Sequence, residues 1–116
     1  AIHCVSAYPC PADQIGLGVF HRNARAYWYD ARHGLSDHTR HPWTGALAVA
    51  AGASIIEFHV RLADTDPANA DFAVARTPQE ALEYVAHIRE AEAMLGDGTA
   101  AVQDAETENL RFRVVP

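Results

Sequence analysis

Three short apolar runs, each breaking into polar residues at its C-terminal end, alternate along the chain with stretches of helical character. The first run, Ala1 to Ser6, stops at Tyr8-Pro9-Cys10-Pro11, where two prolines lack the N–H that further strand pairing needs. A helix is expected over Gln14 to Arg25, weakened by Gly16 and Gly18. A second strand around Arg32 to Ser36 runs into Asp37-His38-Thr39. Its following helix has Pro42 in the first turn, the strong helix formers Ala46 to Ala51, and Gly52 at a left-handed stop. Ser54 to Val60 is the third strand, marked by the β-branched pair Ile55-Ile56.

The last helix carries the plainest signals. Thr77-Pro78-Gln79-Glu80 spells a capping box with proline at the first helical position. Apolar residues then recur at Ala81, Val85, Ile88, Ala91 and Leu95, and Gly96 and Gly98 end the helix. The tail from 99 to 116 is polar, with Leu110 to Pro116 extended. Strands alternating with helices predict an α/β fold of parallel strands with flanking helices, three βα units in residues 1–98. Three strands cannot close a barrel, which takes about eight strands and about 250 residues. The pattern therefore fits either part of a (β/α)₈ TIM barrel or a small open sheet. The start at Ala1, inside an apolar run and without Met, reads as a cut end.

Composition narrows this little further. Of the 116 residues, 49% are apolar, enough for a real core. The net charge of −6, with nine scattered arginines and no lysine, argues against a nucleic-acid surface. No run reaches the roughly 18 apolar residues that span a bilayer, so no membrane partner is expected. Cys4 and Cys10 fit neither a CxxC pair nor a zinc knuckle and read as free thiols in a reducing cytoplasm.

Each strand delivers reactive side chains at its C-terminal end: Ser6 and Tyr8, Ser36 and His38, Glu57 and His59. Side chains alternate along a strand, so each pair shares one face. In α/β barrels that end of the strands builds the active site. If the second and third strands are neighbours, about 4.8 Å apart, His38 and His59 converge on one ion. Neutral imidazole suits first-row divalent metals, and two histidines leave coordination positions for substrate oxygens. Packing histidines are the competing reading, since a pair 21 residues apart is not specific by spacing alone. Among the other histidines, His3 has the parity of a helix-facing residue, and His21 and His87 fall on helices as solvated groups. His33 and His41 flank the central motif. Tyr27, Trp28 and Tyr29 form an aromatic cluster suited to packing. The long acidic loop from Ala63 to Thr77, with Asp64, Asp66 and Asp71, is either a solvated surface loop or a functional one.

These residues also carry a family likeness. Ile2-His3-Cys4-Val5-Ser6-Ala7-Tyr8-Pro9 resembles the HCxSxYP strand end of the sialic acid (N-acetylneuraminate) synthase family. Gly34-Leu35-Ser36-Asp37-His38-Thr39 is similar to its G-[LY]-S-D-H-T segment, and Gly52 to His59 to its GAxxIE[KR]H segment. The helix ending Met94-Leu95-Gly96-Asp97-Gly98 also fits. The resemblance covers nearly the whole chain, in order, and implies the last three βα units of a TIM barrel. The implied enzyme condenses phosphoenolpyruvate with N-acetylmannosamine or a related N-acyl amino sugar and releases phosphate. By the same likeness His38 and His59 hold a divalent ion, Mn²⁺ or Mg²⁺, which polarises the sugar aldehyde. Ser6, Tyr8 and Ser36 line the substrate pocket, Glu57 acts beside His59 as a catalytic polar or acid–base group, and Asp71 contacts the sugar. A homodimer is implied for the full-length protein.

The chain departs from the pattern where Phe58 replaces a basic residue between Glu57 and His59, which takes a cation from near the site. Asn69-Ala70 also replaces a Gly-Pro in a loop one residue longer. The family's phosphate-binding lysines and first catalytic glutamate fall upstream of Ala1, and the antifreeze-like domain of many members lies outside these residues. The piece alone is therefore expected to be inactive. Two other readings are another metal-dependent aldol-type barrel lyase or synthase, and a non-catalytic remnant that keeps the strands for structure only.

Overall fold

The computed structural model describes residues 1–21 and 32–112. The aromatic cluster Tyr27-Trp28-Tyr29 and the end of the expected first helix lie outside the described residues. Three strands, β1 (Ile2–Cys4), β2 (Gly34–Asp37) and β3 (Ile55–Phe58), form one sheet in the order β1-β2-β3. Both pairings are parallel, with Cys4 opposite Ser36 and Ser36 opposite Glu57. The α/β reading with parallel strands is thus observed, and the strands are one to three residues shorter than the apolar runs that announce them.

Between β1 and β2 the expected helix from Gln14 does not form as one piece. Ala12–Gln14 is a single 3-10 turn, Gly16 takes a left-handed φ of 67°, and helix resumes only at 18–21. A glycine in that conformation lets the chain turn where a continuous helix would run on. After β2, helix α1 (Thr44–Ala50) starts without a side-chain cap. Its end is as expected, with Gly52 at a positive φ of 114° just past the C-cap. Helix α2 (Pro78–Leu95) begins with the full capping box: Thr77 Oγ1 accepts from the Glu80 N–H, and Glu80 accepts from the Thr77 N–H. Residues Asp104–Phe112 form a 3-10 helix, which corrects the extended conformation expected from Leu110 as far as Phe112; the rest of that stretch lies outside the described residues.

β2 is the central strand and is buried along its whole length, as a strand covered on both sides must be. Leu35, wholly buried, packs with Cys10, Ile15, Phe20, Ala48 and Ala53 on the helix side. His3 shares that side, as its parity predicts: its Nε2 meets the Ile15 carbonyl at 2.8 Å and its ring lies edge-on to Phe20. A second cluster joins Val49, Tyr84 and Ile88, with Ile56 and Phe58 against it. The buried face of α2 is therefore Tyr84 and Ile88. Val85 and Leu95, counted in the expected stripe, are 38% and 49% exposed. Helices α1 and α2 meet at Gly45, where a Cβ would stand 2.7 Å from the Tyr84 hydroxyl and 2.8 Å from Ile88 Cδ1.

Two outcomes follow for stability. Gly45→Ala forces Tyr84 and Ile88 out of their places, and the loss expected for overpacking is about 1–3 kcal/mol in urea unfolding, despite alanine's better helix propensity. Glu80 is held down to about 2 from an ordinary 4.5, first by the Thr77 N–H and then by the Arg40 fork. A carboxylate with a depressed folded pKa stabilises above its unfolded value and loses that contribution as the pH falls through the folded one. The stability gap between the wild type and Glu80→Gln is therefore expected to be full above about pH 4.5 and to close towards pH 2. A gap that persists unchanged to pH 2 would contradict this.

Candidate metal and substrate site

The sheet's other face gathers the predicted polar residues at one end. Gly34 lies between Ile2 and Ile55, whose side chains stand 3.3 and 2.9 Å from where its Cβ would be. Two residues on, Ser36 sits between Cys4 and Glu57, and two further on come His38 and His59. Alternation thus stacks an apolar layer beneath a polar one, the polar layer at the strands' C-terminal ends.

The polar layer is connected. The Ser36 hydroxyl donates to Glu57 Oε1 at 2.7 Å, so its lone pair faces His38 Nε2 at 3.4 Å. His38 is 2% exposed, and its Nδ1 lies 2.9 Å from the Val5 carbonyl. A carbonyl only accepts, so Nδ1 carries the proton and Nε2 presents a lone pair. The Tyr8 ring stacks on His38 with centroids 4.2 Å apart and meets His59 edge-on. His59 Nε2 stands 3.3 Å from His38 Nε2, and its Nδ1 stands 3.5 Å from an Asp71 carboxylate oxygen. The structure so brings together Tyr8, Ser36, His38, Glu57, His59 and Asp71. Ser6 follows β1 and is exposed, with no hydrogen bond to the others.

This geometry fits a divalent ion. Two nitrogens each about 2.1 Å from one ion, at angles between octahedral and tetrahedral, stand about 3.0–3.4 Å apart. The observed 3.3 Å lies in that range. His59 can donate from Nε2 to His38, or, with its proton on the Nδ1 that faces Asp71, both Nε2 lone pairs can face one cation. A carboxylate behind a ligand histidine is the usual arrangement that fixes its orientation. Among the described residues no third His, Cys, Asp or Glu completes a cluster of three.

Several residues sit elsewhere than the motifs imply. Phe58 faces the helices, its ring 4.9 Å from that of Tyr84, so its replacement of a basic residue removes nothing from the pocket. His87 is not simply solvated: it stacks on Trp43 at 3.9 Å and meets the Pro42 carbonyl. His41 turns its Nδ1 to the Trp43 N–H, and His33 lies at the opposite end of β2 from the site. Asp64 and Asp66 stay on the surface loop, where Asp66 holds the Ala68 N–H. Both cysteines are free thiols, Cys10 buried and raised in pKa by that burial. Among the described residues no helix is long and apolar enough to cross a membrane.

The residues that sequence reasoning missed lie directly behind the site. Asp37, between Ser36 and His38, points to the helix side, where Arg76 and the Tyr84 hydroxyl reach its Oδ2 at 2.8 and 2.6 Å. Burial and the neighbouring carboxylate push the Tyr84 phenol well above its ordinary pKa. An arginine closing the apolar stretch Phe72-Ala73-Val74-Ala75 was the available signal for a buried partner.

The tautomer is directly checkable. With the imidazoles neutral and metal chelated, long-range ¹H–¹⁵N spectra are expected to show His38 protonated at Nδ1. An Nε2–H form would mean that the Val5 carbonyl does not hold this ring.

The chain is 32% identical over 111 residues to the N,N'-diacetyllegionaminic acid synthase of Campylobacter jejuni, covering 96% of this chain and 32% of that protein. It is 39% identical over 98 residues to the spore coat polysaccharide biosynthesis protein SpsE of Bacillus subtilis, covering 84% and 26%. The N-acetylneuraminic acid (sialic acid) synthetase structure from Leptospira borgpetersenii superposes with a TM-score of 0.81 at 30% identity, over 97% of this chain and 38% of that one. The chain thus spans about a third of the length of these relatives. Residues 1–100 match the NeuB family, and the chain belongs to that family.

Proposed function

We propose that this chain forms the C-terminal three βα units of a (β/α)₈ barrel synthase that joins phosphoenolpyruvate to an N-acyl amino sugar and releases phosphate. The pair of imidazole Nε2 atoms 3.3 Å apart, at the ends of adjacent parallel strands, carries this reading. His38 and His59 would hold Mn²⁺ or Mg²⁺, which when bound polarises the acceptor aldehyde as a Lewis acid. The protein's own groups supply the rest.

His38 is oriented by the Val5 carbonyl and by the Tyr8 ring across its face. Asp71, half exposed, steadies His59 with one oxygen and keeps the other for a sugar hydroxyl. Glu57 accepts from Ser36 with Oε1, leaving Oε2 as the atom that takes or gives a proton as the new carbon–carbon bond forms. Tyr8, whose ring lies against both histidines, and the exposed Ser6 two residues before it are the groups proposed to line the substrate pocket. Water adds to the enol-derived carbon, and phosphate leaves with its bridging oxygen by C–O cleavage. The phosphate itself needs cationic groups, and among the described residues no arginine side chain bonds to Tyr8, Ser36, His38, Glu57, His59 or Asp71; the isolated chain is therefore proposed to be inactive. The full-length protein is proposed to be cytoplasmic and homodimeric.

Calorimetric titration of the chain with Mn²⁺ tests the site. Binding by the wild type and its loss in His38→Ala are expected, and equal affinity in both would overturn the metal reading. In a phosphate-release assay with Mn²⁺, phosphoenolpyruvate and N-acetylmannosamine, the 116-residue chain is expected to give no turnover. Turnover by this chain would overturn its proposed dependence on further barrel units.

A further inference from the structure

The strand ladder does not itself set the spacing of the two histidines. The pairing of β2 with β3 ends at Asp37 opposite Phe58, one residue before each histidine. His38 and His59 follow the last paired residues, so contacts outside the ladder also bear on their 3.3 Å separation.

Arg76 spans the gap. Its guanidinium Nη2 donates to Asp37 Oδ2 at 2.8 Å and to the His41 carbonyl at 3.1 Å. Its backbone N–H donates to the His59 carbonyl at 2.8 Å, and its own carbonyl accepts from the Arg61 N–H at 2.8 Å. One residue thereby fastens the neighbour of one histidine to the main chain of the other. The other end is equally firm. Asp37 is 1% exposed and takes four donors on its two oxygens: Arg76, the Tyr84 hydroxyl, and the Thr39 N–H and Oγ1–H. The guanidinium is 3.8 Å from the Tyr84 ring centroid, which fixes its plane.

Stability alone is a poor reason to keep such a pair. A buried ion pair often gives no net stability over well-packed apolar residues, and the Arg76 Nε here is buried without a partner. What the pair supplies is a fixed direction and length that apolar packing does not. We propose that Asp37 and Arg76 are positioning residues that set the His38–His59 separation for the ion, an inference that rests on the metal reading above.

The test is Mn²⁺ affinity measured beside unfolding stability on the full chain. Arg76→Lys keeps the charge but loses the planar guanidinium that lies against Tyr84 and carries the bonds to Asp37 and His41, and Asp37→Asn keeps the shape but not the charge. Both are expected to weaken Mn²⁺ binding by about 10- to 100-fold, the range for groups that orient metal ligands. Ile88→Ala, which opens a cavity but removes none of the hydrogen bonds to Asp37 or Arg76, is expected to lose comparable stability and keep wild-type affinity. If Asp37→Asn fails to fold, Tyr84→Phe takes its place; it removes one donor from Asp37, and a several-fold loss is expected. Wild-type affinity in Arg76→Lys and Tyr84→Phe, with the wild type binding, would overturn the positioning role. A wild type that binds no Mn²⁺ would instead bring down the metal reading, and this inference with it.

Discussion

A carboxylate buried behind a short parallel strand is the constraint around which the rest of this molecule is organised. Strand β2 has four residues, all buried, and continues at once into His38. Its alternation puts Ser36 and His38 on the site face and Leu35 and Asp37 on the helix face. Leu35 needs only apolar neighbours, but an unpaired charge at Asp37 would cost several kcal/mol. The chain meets that demand from three directions: Thr39 in the loop after β2, Arg76 before α2, and Tyr84 within it. Satisfying one side chain therefore fixes where α2 begins and how it lies against α1. The close approach of the helices at Gly45 is the other half of the same fit, because the Tyr84 hydroxyl occupies the space a larger residue would need.

That dependence explains which features could be read from the chain. Signals confined to a few neighbouring residues survive into the structure. The capping box at Thr77 and Glu80, the glycine after α1 and the β-branched pair in β3 each act within one turn or strand, and each is where it was expected. The strand-end pairs were legible for a similar reason, since period-two alternation alone puts Ser36 with His38 and Glu57 with His59. The convergence of the histidines needed one further condition, that β2 and β3 be neighbours, and parallel pairing meets it.

Features that depend on distant partners were not legible. Hydrophobic counting along α2 selected Ile88, which is buried, but also Val85 and Leu95, which are not, and it passed over the buried Tyr84. Tyrosine scores as a middling residue until Asp37 gives its hydroxyl a place in the core. The helix expected from Gln14 failed for a local reason: Gly16 adopts a backbone that a helix cannot contain. Phe58 was weighed as a lost cation beside the site because its neighbours in sequence are Glu57 and His59. Parity instead puts it against Tyr84, and the cation on that side, Arg76, comes from the far end of the loop.

The two faces of the sheet thus divide the work unequally. The site face holds its groups by single, adjustable contacts: one hydrogen bond from Ser36 to Glu57, one long ion pair from Asp71 to His59, one ring stacked on His38. Such groups can exchange partners with a substrate at less cost than the buried charges behind them, because their mutual contacts include long ones of 3.3–3.5 Å. The helix face holds its charges by several bonds each, in a dry interior where exchange is expensive. Rigidity belongs on the side that never meets substrate, and adaptability on the side that does. Residues 36 to 38 carry both, because in a strand the side chain that reacts and the one that anchors can be covalent neighbours and still point in opposite directions.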